Sequence, residues 1–311
     1  MIGSEHEDAL RRGYADHTRN WCENLYVYPV ISRRSHGLSI GVNLNPDTAC
    51  NFDCVYCQVD RSITPRVREV DVGKLSAELK RMIVEVRNGT LFRDSAFAAV
   101  PAQFRVIRDI AFSGDGEPTT CKFFLECVES VASLKRAAGL TNAKIILITD
   151  ACYLTRPEVV AALRIIDSAN GEVWAKLDAG TEAYFRKINR PNFPLQHVID
   201  NIIASSAITR LVIQSLFLRC DGQLPDEQEV RAFAGRLTDI IDAGGTIDRV
   251  QVYTMARPPG ARAINELPAD TTGRQRHRLL PLSDEEVDRI ADVVRQTTGL
   301  HVEAFYGIAQ P

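Results

Sequence analysis

From residue 38 to residue 298 the sequence alternates six times between a short apolar run and a longer stretch whose apolar residues recur every three or four positions. The short runs predict strands at 38–44 (LSIGVNL), 109–113, 144–149, 172–178, 211–218 and 249–255. The longer stretches predict helices near 71–87, 120–138, 156–168, 195–206, 226–243 and 283–298, the last favoured at its start by the acids from Asp284 to Glu286. Strands that alternate with helices pair in parallel, and right-handed crossovers then build an open doubly wound sheet or a barrel, complete or partial. In each of these α/β architectures chemistry collects just after the strands, at their carboxyl ends. No repeat of fixed period and no low-complexity tract points to a solenoid or propeller. Residues 1–37 carry charges and the aromatics Trp21, Tyr26 and Tyr28 without a clear period, and read as an extension on the outside of the main body.

Composition narrows the classes. With 45% apolar and 25% charged residues over 311 positions, the chain can build a sizeable core and is not globally disordered. No apolar run approaches the roughly 18–20 residues of a membrane span, and the opening MIGSEHEDALRR lacks a signal core. The expectation is a cytoplasmic protein without a membrane partner. A net charge of −3 lacks the basic excess of a dedicated nucleic-acid binder.

Eight cysteines in such a chain are too sparse for a disulfide scaffold and are expected as reduced thiols. Cys22, Cys121, Cys127, Cys152 and Cys220 are scattered, as small buried hydrophobes are. Cys50, Cys54 and Cys57 follow the first predicted strand with C-x3-C-x2-C spacing. Three thiolates on one loop can wrap one soft metal centre and leave a four-ligand centre one short. A structural zinc would need an isolated residue such as His36 or Cys22 to close its tetrahedron, because no second paired motif is present. A [4Fe–4S] cluster would keep one iron open for a small molecule.

With Tyr56 as the aromatic, the motif resembles the C-x3-C-x-aromatic-C signature of the radical S-adenosylmethionine (SAM) enzymes. The resemblance implies a partial (β/α)6 barrel of parallel strands with helices outside, a [4Fe–4S] cluster on Cys50, Cys54 and Cys57, and SAM on the open iron. It implies reductive cleavage to a 5′-deoxyadenosyl radical that abstracts hydrogen from a substrate, with an external flavodoxin- or ferredoxin-like electron donor as partner. The domain expectation is an extension over 1–37, the core over 38–255, and a loop followed by a helix and strand over 256–311.

Other predicted strand ends carry polar residues. Ser113-Gly114-Asp115-Gly116-Glu117-Pro118-Thr119 offers glycines for close backbone approach and acids for an ammonium. It also reads as a tight turn capping the helix behind it. The family resemblance makes Gly114, Asp115, Gly116 and Glu117 a variant of a glycine-glycine-glutamate motif that contacts the SAM amino group. Lys176 and Asp178 lie two apart on one strand face, and if buried must pair with each other or bind something polar. By position in the resembling fold, Lys176, Asp178, Gln214 and Ser215 are SAM-contact candidates alongside Tyr56. Arg186-Lys-Ile-Asn-Arg190-Pro191 reads as a basic loop, either solvated or suited to carboxylate or phosphate. Asp150 stands where relatives carry an asparagine-glycine turn. The Pro-rich stretch 257–281, with five arginines, one histidine and two acids, reads as a lid or a disordered surface loop.

The blend of motifs over 38–255 most resembles the branch of radical SAM proteins related to wyosine-type tRNA-modifying enzymes. Only Cys22 lies upstream of the motif, however, where the wyosine enzymes use extra cysteines for a second cluster. The leading expectation is therefore a radical SAM oxidoreductase-like enzyme whose substrate, a small molecule or an RNA, is unassigned. A tRNA-modifying enzyme, a radical activase of a protein partner, and a non-catalytic zinc or Fe–S protein are the alternatives.

Overall fold

The computed structural model describes residues 21–257 and 277–307. Its fold is α/β. The strands among the described residues are β1 (Val27–Ser32), β2 (Gly37–Val42), β3 (Ile107–Phe112), β4 (Lys144–Thr149), β5 (Glu172–Lys176), β6 (Leu211–Leu216), β7 (Arg219–Cys220), β8 (Arg249–Tyr253), β9 (Leu279–Leu280) and β10 (Val302–Phe305). The α-helices among the described residues are α1 (Val72–Arg87), α2 (Phe124–Ala137), α3 (Pro157–Ser168), α4 (Glu182–Ile188), α5 (Leu195–Ser206), α6 (Glu227–Asp242) and α7 (Asp284–Thr298). Eight strands form one sheet in the order β1-β2-β3-β4-β5-β6-β8-β10, and β7 and β9 form a separate pair. β2, β3, β4, β5, β6 and β8 stand where the six apolar runs predict strands.

Two compact units divide the chain. The first comprises residues up to Ala49, Pro65–Thr149 and Arg156–Val173; the second comprises Cys50–Thr64, Asp150–Thr155 and Trp174 onward. In the first, β2 pairs in parallel with β3 and β3 with β4, so that Ile40, Ile110 and Ile145 lie in one row and Val42, Phe112 and Leu147 in another. All six are buried. β1 pairs antiparallel with β2, with Val27 opposite Val42. This strand falls in the segment assigned no regular element from sequence. Pro29 lies inside it, which weakens a strand pattern but is tolerated at a sheet edge, and β1 is the last strand in the order. The buried Glu78 of α1 accepts the backbone N–H groups of Leu25 at 3.0 Å, Tyr26 at 2.9 Å and Val27 at 3.2 Å, fixing the entry to that strand.

In the second unit β6 pairs in parallel with β8, and β8 with β10, stacking Ile213, Val250 and Val302. α7 begins with a capping box, in which Ser283 and Glu286 satisfy each other's backbone N–H, and ends at Gly299 with φ of 70°. α4 runs into the Arg186–Pro191 stretch whose basic residues read as a loop. Thr181 caps its first turn by accepting from Tyr184 N, and Arg186 and Lys187 occupy its last turn, where cations suit the helix dipole. No described helix is long and apolar enough to cross a membrane. Most of the 257–281 stretch, residues 258–276, lies outside the described residues.

Candidate functional site

The cysteine loop belongs to the second unit and is anchored at alternating positions. Phe52 is buried and meets Phe185 of α4 edge-on, with ring centroids 5.3 Å apart. Val55 belongs to a buried cluster with Ile188, Leu216, Leu218, Tyr253 and Met255. Cys50, Cys54 and Cys57 flank and separate these anchors, half-buried and in no disulfide. The loop is therefore rooted in the core by its apolar residues.

Backbone bonds hold the loop along residues 188–192. Val55 N donates to Ile188 O at 2.9 Å, Asp53 N to Asn189 O at 3.0 Å, and Asn192 N to Asn51 O at 3.1 Å. Phe52 and Pro191 form an antiparallel bridge. Asn51 is tied a second time, its Nδ2 donating to Asp150 Oδ1 at 3.3 Å, and Asp150 also accepts from Cys152 N at 2.9 Å. Asp150, which departs from the family pattern, is thus a buried brace for the loop. Burial pushes its carboxyl up to about 6.

A polar network stands behind the sulfurs. Asn189 Nδ2 donates to Asp178 Oδ2 at 2.7 Å and reaches Cys54 Sγ at 3.5 Å. The Tyr56 hydroxyl donates to the same Asp178 oxygen in a short bond. Asp178 Oδ1 takes Leu216 N at 2.8 Å and the Lys176 ammonium at 2.8 Å. Lys176 in turn bonds the Tyr253 hydroxyl and lies over that ring, 4.7 Å from its centroid. Burial opposes the lysine's charge, but Asp178 and Tyr253 outweigh it and hold its pKa above the usual range. Burial first, then Asp178 and the Cys57 and Cys50 sulfurs, push the Cys54 thiol well above its ordinary value, so the three sulfurs share one electrostatic environment.

This arrangement answers the choice left open for Lys176 and Asp178: they pair, and Asp178, with no solvent exposure of its side chain, is filled by protein partners. Its role is to position Tyr56, Asn189 and Lys176. Gln214 Nε2 donates to Gln251 Oε1 at 3.0 Å, while the buried Ser215 hydroxyl has no hydrogen-bond partner among the described residues. Tyr253, central to the network, carries no local sequence signal, and Asn189 enters the sequence reading only as part of the Arg186–Pro191 stretch. They are joined to the cysteines by folding, not by spacing.

The Gly114–Glu117 turn belongs to the first unit. Asn43 Nδ2 donates to Asp115 Oδ2 at 2.6 Å, and Asp115 N donates back to Asn43 Oδ1 at 3.1 Å. A Cβ on Gly114 would lie 2.3 Å from Asn43 Oδ1, and one on Gly116 only 1.9 Å from the Ala49 carbonyl oxygen. The glycines thus allow close packing against the segment 43–49, where Glu117 N donates to Ala49 O at 2.9 Å. Glu117 is buried, and its Oε1 accepts from Thr119 N at 3.0 Å and from the Thr149 hydroxyl at 2.7 Å. Glu117 caps the short turn Pro118–Thr120 and not the helix behind it, which starts at Phe124, and Asp115 remains partly exposed.

The donor set fits an iron–sulfur cluster. Three thiols lie on one loop at C-x3-C-x2-C spacing, and Cys54 stands beside an amide donor of the kind that tunes cluster sulfurs. Among the described residues, the group of metal-ligating side chains whose ligand atoms lie within 4.8 Å of one another is Cys220, Asp221 and His277, and it contains none of the three.

No protein-family model matches the chain. Among curated proteins it is similar to GTPase Obg of Brachyspira hyodysenteriae, 27% identical over 251 residues, which are 76% of this chain and 31% of that protein. It is similar to UPF0026 protein MJ1312 of Methanocaldococcus jannaschii, 31% identical over 175 residues, 56% of this chain and 46% of that protein. UPF0026 protein slr1464 of Synechocystis sp. is 25% identical over 276 residues, 87% of this chain and 88% of that protein. The chain thus spans less than half the length of the first two relatives. Among solved structures, a radical SAM methyltransferase from Sphaerobacter thermophilus is similar with a TM-score of 0.57 at 15% identity, covering 90% of this chain and 69% of that one. SuiB of Streptococcus suis bound to S-adenosylmethionine follows with 0.52 at 11%, covering 88% and 52%. The fold is that of the radical SAM partial barrels. At these identities the likeness concerns the fold alone.

Proposed function

We propose that this chain is a radical SAM enzyme in which Cys50, Cys54 and Cys57 hold a [4Fe–4S] cluster. When bound, such a cluster supplies the electron that cleaves SAM reductively to a 5′-deoxyadenosyl radical, which takes hydrogen from substrate. The observation that carries the reading is the loop itself: three thiols at the family spacing, rooted by Phe52 and Val55 and backed by Asn189. Backbone bonds to residues 188–192 hold the loop, and the Asp178–Lys176–Tyr253 set fixes Tyr56 and Asn189 relative to Cys54. Asp115, with Gly114 and Gly116, is the candidate contact for the SAM amino group; Glu117 shapes that turn. The buried Ser215 hydroxyl is a further candidate for a polar partner supplied by a ligand. Substrate and electron donor belong to the same proposal.

The test is anaerobic reconstitution with iron and sulfide, then SAM and a strong reductant, with 5′-deoxyadenosine measured for the parent and for Cys54→Ala. Product from the parent and none from the variant is the expected result. Zinc taken up in place of iron, with no SAM cleavage, would instead make the loop a metal-binding element.

A further inference from the structure

The second unit contains a cavity of about 720 Å3 beside the cysteine loop, lined by Cys50 and by Arg61, Arg186, Lys187, Arg190 and His277. Among the described residues, the lining brings three arginines and Lys187 together with one carboxylate, Asp53. Asp53 lies 3.9 Å from Arg61 Nη1 and 3.8 Å from Arg190 Nη1, longer than the roughly 2.7–2.9 Å of a close charge-assisted bond. It stands between the two guanidiniums. Arg186 is held by Glu182 at 2.7 Å and His277 by Asp221 at 2.7 Å, so two of the walls are fixed from behind.

The backbone adds a second observation. Arg190 has φ of 44°, in the left-handed region that a long side chain rarely adopts. Asp53 N donating to Asn189 O and Arg190 O overrides that preference and sets the arginine at the edge of the cysteine loop. Strain of this kind persists where the surroundings over-determine it, and it gathers at ligand clamps. A cavity of this volume lies in the range of about 300–1,000 Å3 that encloses a small molecule. A net charge of −3 argues against a continuous basic face for a nucleic acid.

We propose that this cavity binds the oxyanion end, phosphate or carboxylate, of a small anionic substrate, with Arg61 and Arg190 as its principal ligands. Arginine forks match both oxyanions, and Cys50 in the wall places the bound group beside the cluster loop. Its role as a substrate site rests on the radical SAM reading; the binding itself does not.

Isothermal titration of the reconstituted full chain tests it, with ribose 5-phosphate and malonate as probes, in the presence and absence of saturating SAM. One-to-one binding of either probe is expected, weakening as salt rises and at least tenfold weaker in Arg61→Gln and Arg190→Gln. Arg231→Gln, on the exposed face of α6, should bind as the parent does. Tighter binding of the sugar phosphate assigns a phosphate ester, and tighter binding of malonate an organic acid. Should Arg190→Gln fail to fold, Arg61→Gln and Arg186→Gln carry the test. Equal affinities in parent and arginine variants, displacement of the probe by SAM, or preferential binding of tRNA through the same arginines would each overturn the proposal. Anion binding that persists without 5′-deoxyadenosine formation would defeat the radical reading and leave the cavity's assignment standing.

Discussion

Asn189 is the residue through which the protein acts on Cys54. Its amide reaches the sulfur at 3.5 Å while anchored on Asp178 at 2.7 Å, so the donor is held in place by a fully buried carboxylate. A donor to a cluster thiolate stabilises the electron-rich, reduced state and raises the potential. In the reconstituted protein Asn189→Ala is expected to make the cluster potential more negative by roughly 20–40 mV, the equivalent of about 0.5–1 kcal/mol for one electron. A redox titration followed by electron paramagnetic resonance reads the shift; an unchanged potential would mean that the amide does not bond the loaded sulfur. Gly116 presents the opposite case, a position set by space. An alanine Cβ there would sit 1.9 Å from a backbone carbonyl, and backbone cannot swing aside as a flexible side chain can. Gly116→Ala is expected to cost about 3 kcal/mol, the upper end of ordinary overpacking, as a lower urea midpoint at unchanged slope. Sequence reading identified this glycine but explained it by ligand approach, because the neighbours that demand it, Asn45 and Ala49, lie some seventy residues earlier.

Among the elements, those with a clean period were legible in the sequence. The six core strands follow from short apolar runs, buried along nearly their whole length, and six of the helices from an apolar period, because each helix buries one face. β1 and α4 were not legible, for separate reasons. Pro29 interrupts the first, and the second has seven residues with Arg186 and Lys187 at its end, too short for a period to emerge. Elements also hide a buried polar layer in the first unit. Asp109 of β3 accepts from the Ser39 hydroxyl of β2, near the pair formed by Lys144 and Glu172. Burial pushes the Asp109 carboxyl up to about 6, against the hydrogen bonds from Ser35 and Ser39. The native state therefore holds a proton that the unfolded chain releases between about pH 4 and pH 6, so this group's contribution to stability falls as pH rises through that window. Above it, the buried carboxylate costs about 3 kcal/mol, to order of magnitude. Asp109→Asn is expected to be more stable than the parent at pH 8 and to lose that advantage near pH 4. Urea denaturation at the two pH values decides it, and parallel profiles would refute the assignment.

For the molecule as a whole, the question is whether the cysteine loop is a staple or a seat for a cofactor. A structural metal site supplies the folding free energy of its surroundings, and its apo form unfolds. Here the loop's shape is maintained by backbone bonds to residues 188–192, by Phe52 against Phe185, and by Val55 in a cluster that includes residues of β6 and β8. These contacts require no metal. The apo protein is accordingly expected to remain folded, with a cooperative thermal transition. Cluster loading should then raise Tm by only a few degrees, because a group that binds the native state alone adds stability by mass action and each kcal/mol moves the midpoint of a chain this size by about 2 °C. Differential scanning calorimetry of the apo, reconstituted and Cys54→Ala forms measures it. A variant and an apo protein that unfold together well below the loaded form, or that lack a transition altogether, would place the metal among the forces that hold the fold. Coincident apo and variant transitions close beneath that of the loaded protein would leave the three thiols free for chemistry, since nothing else in the second unit would depend on them.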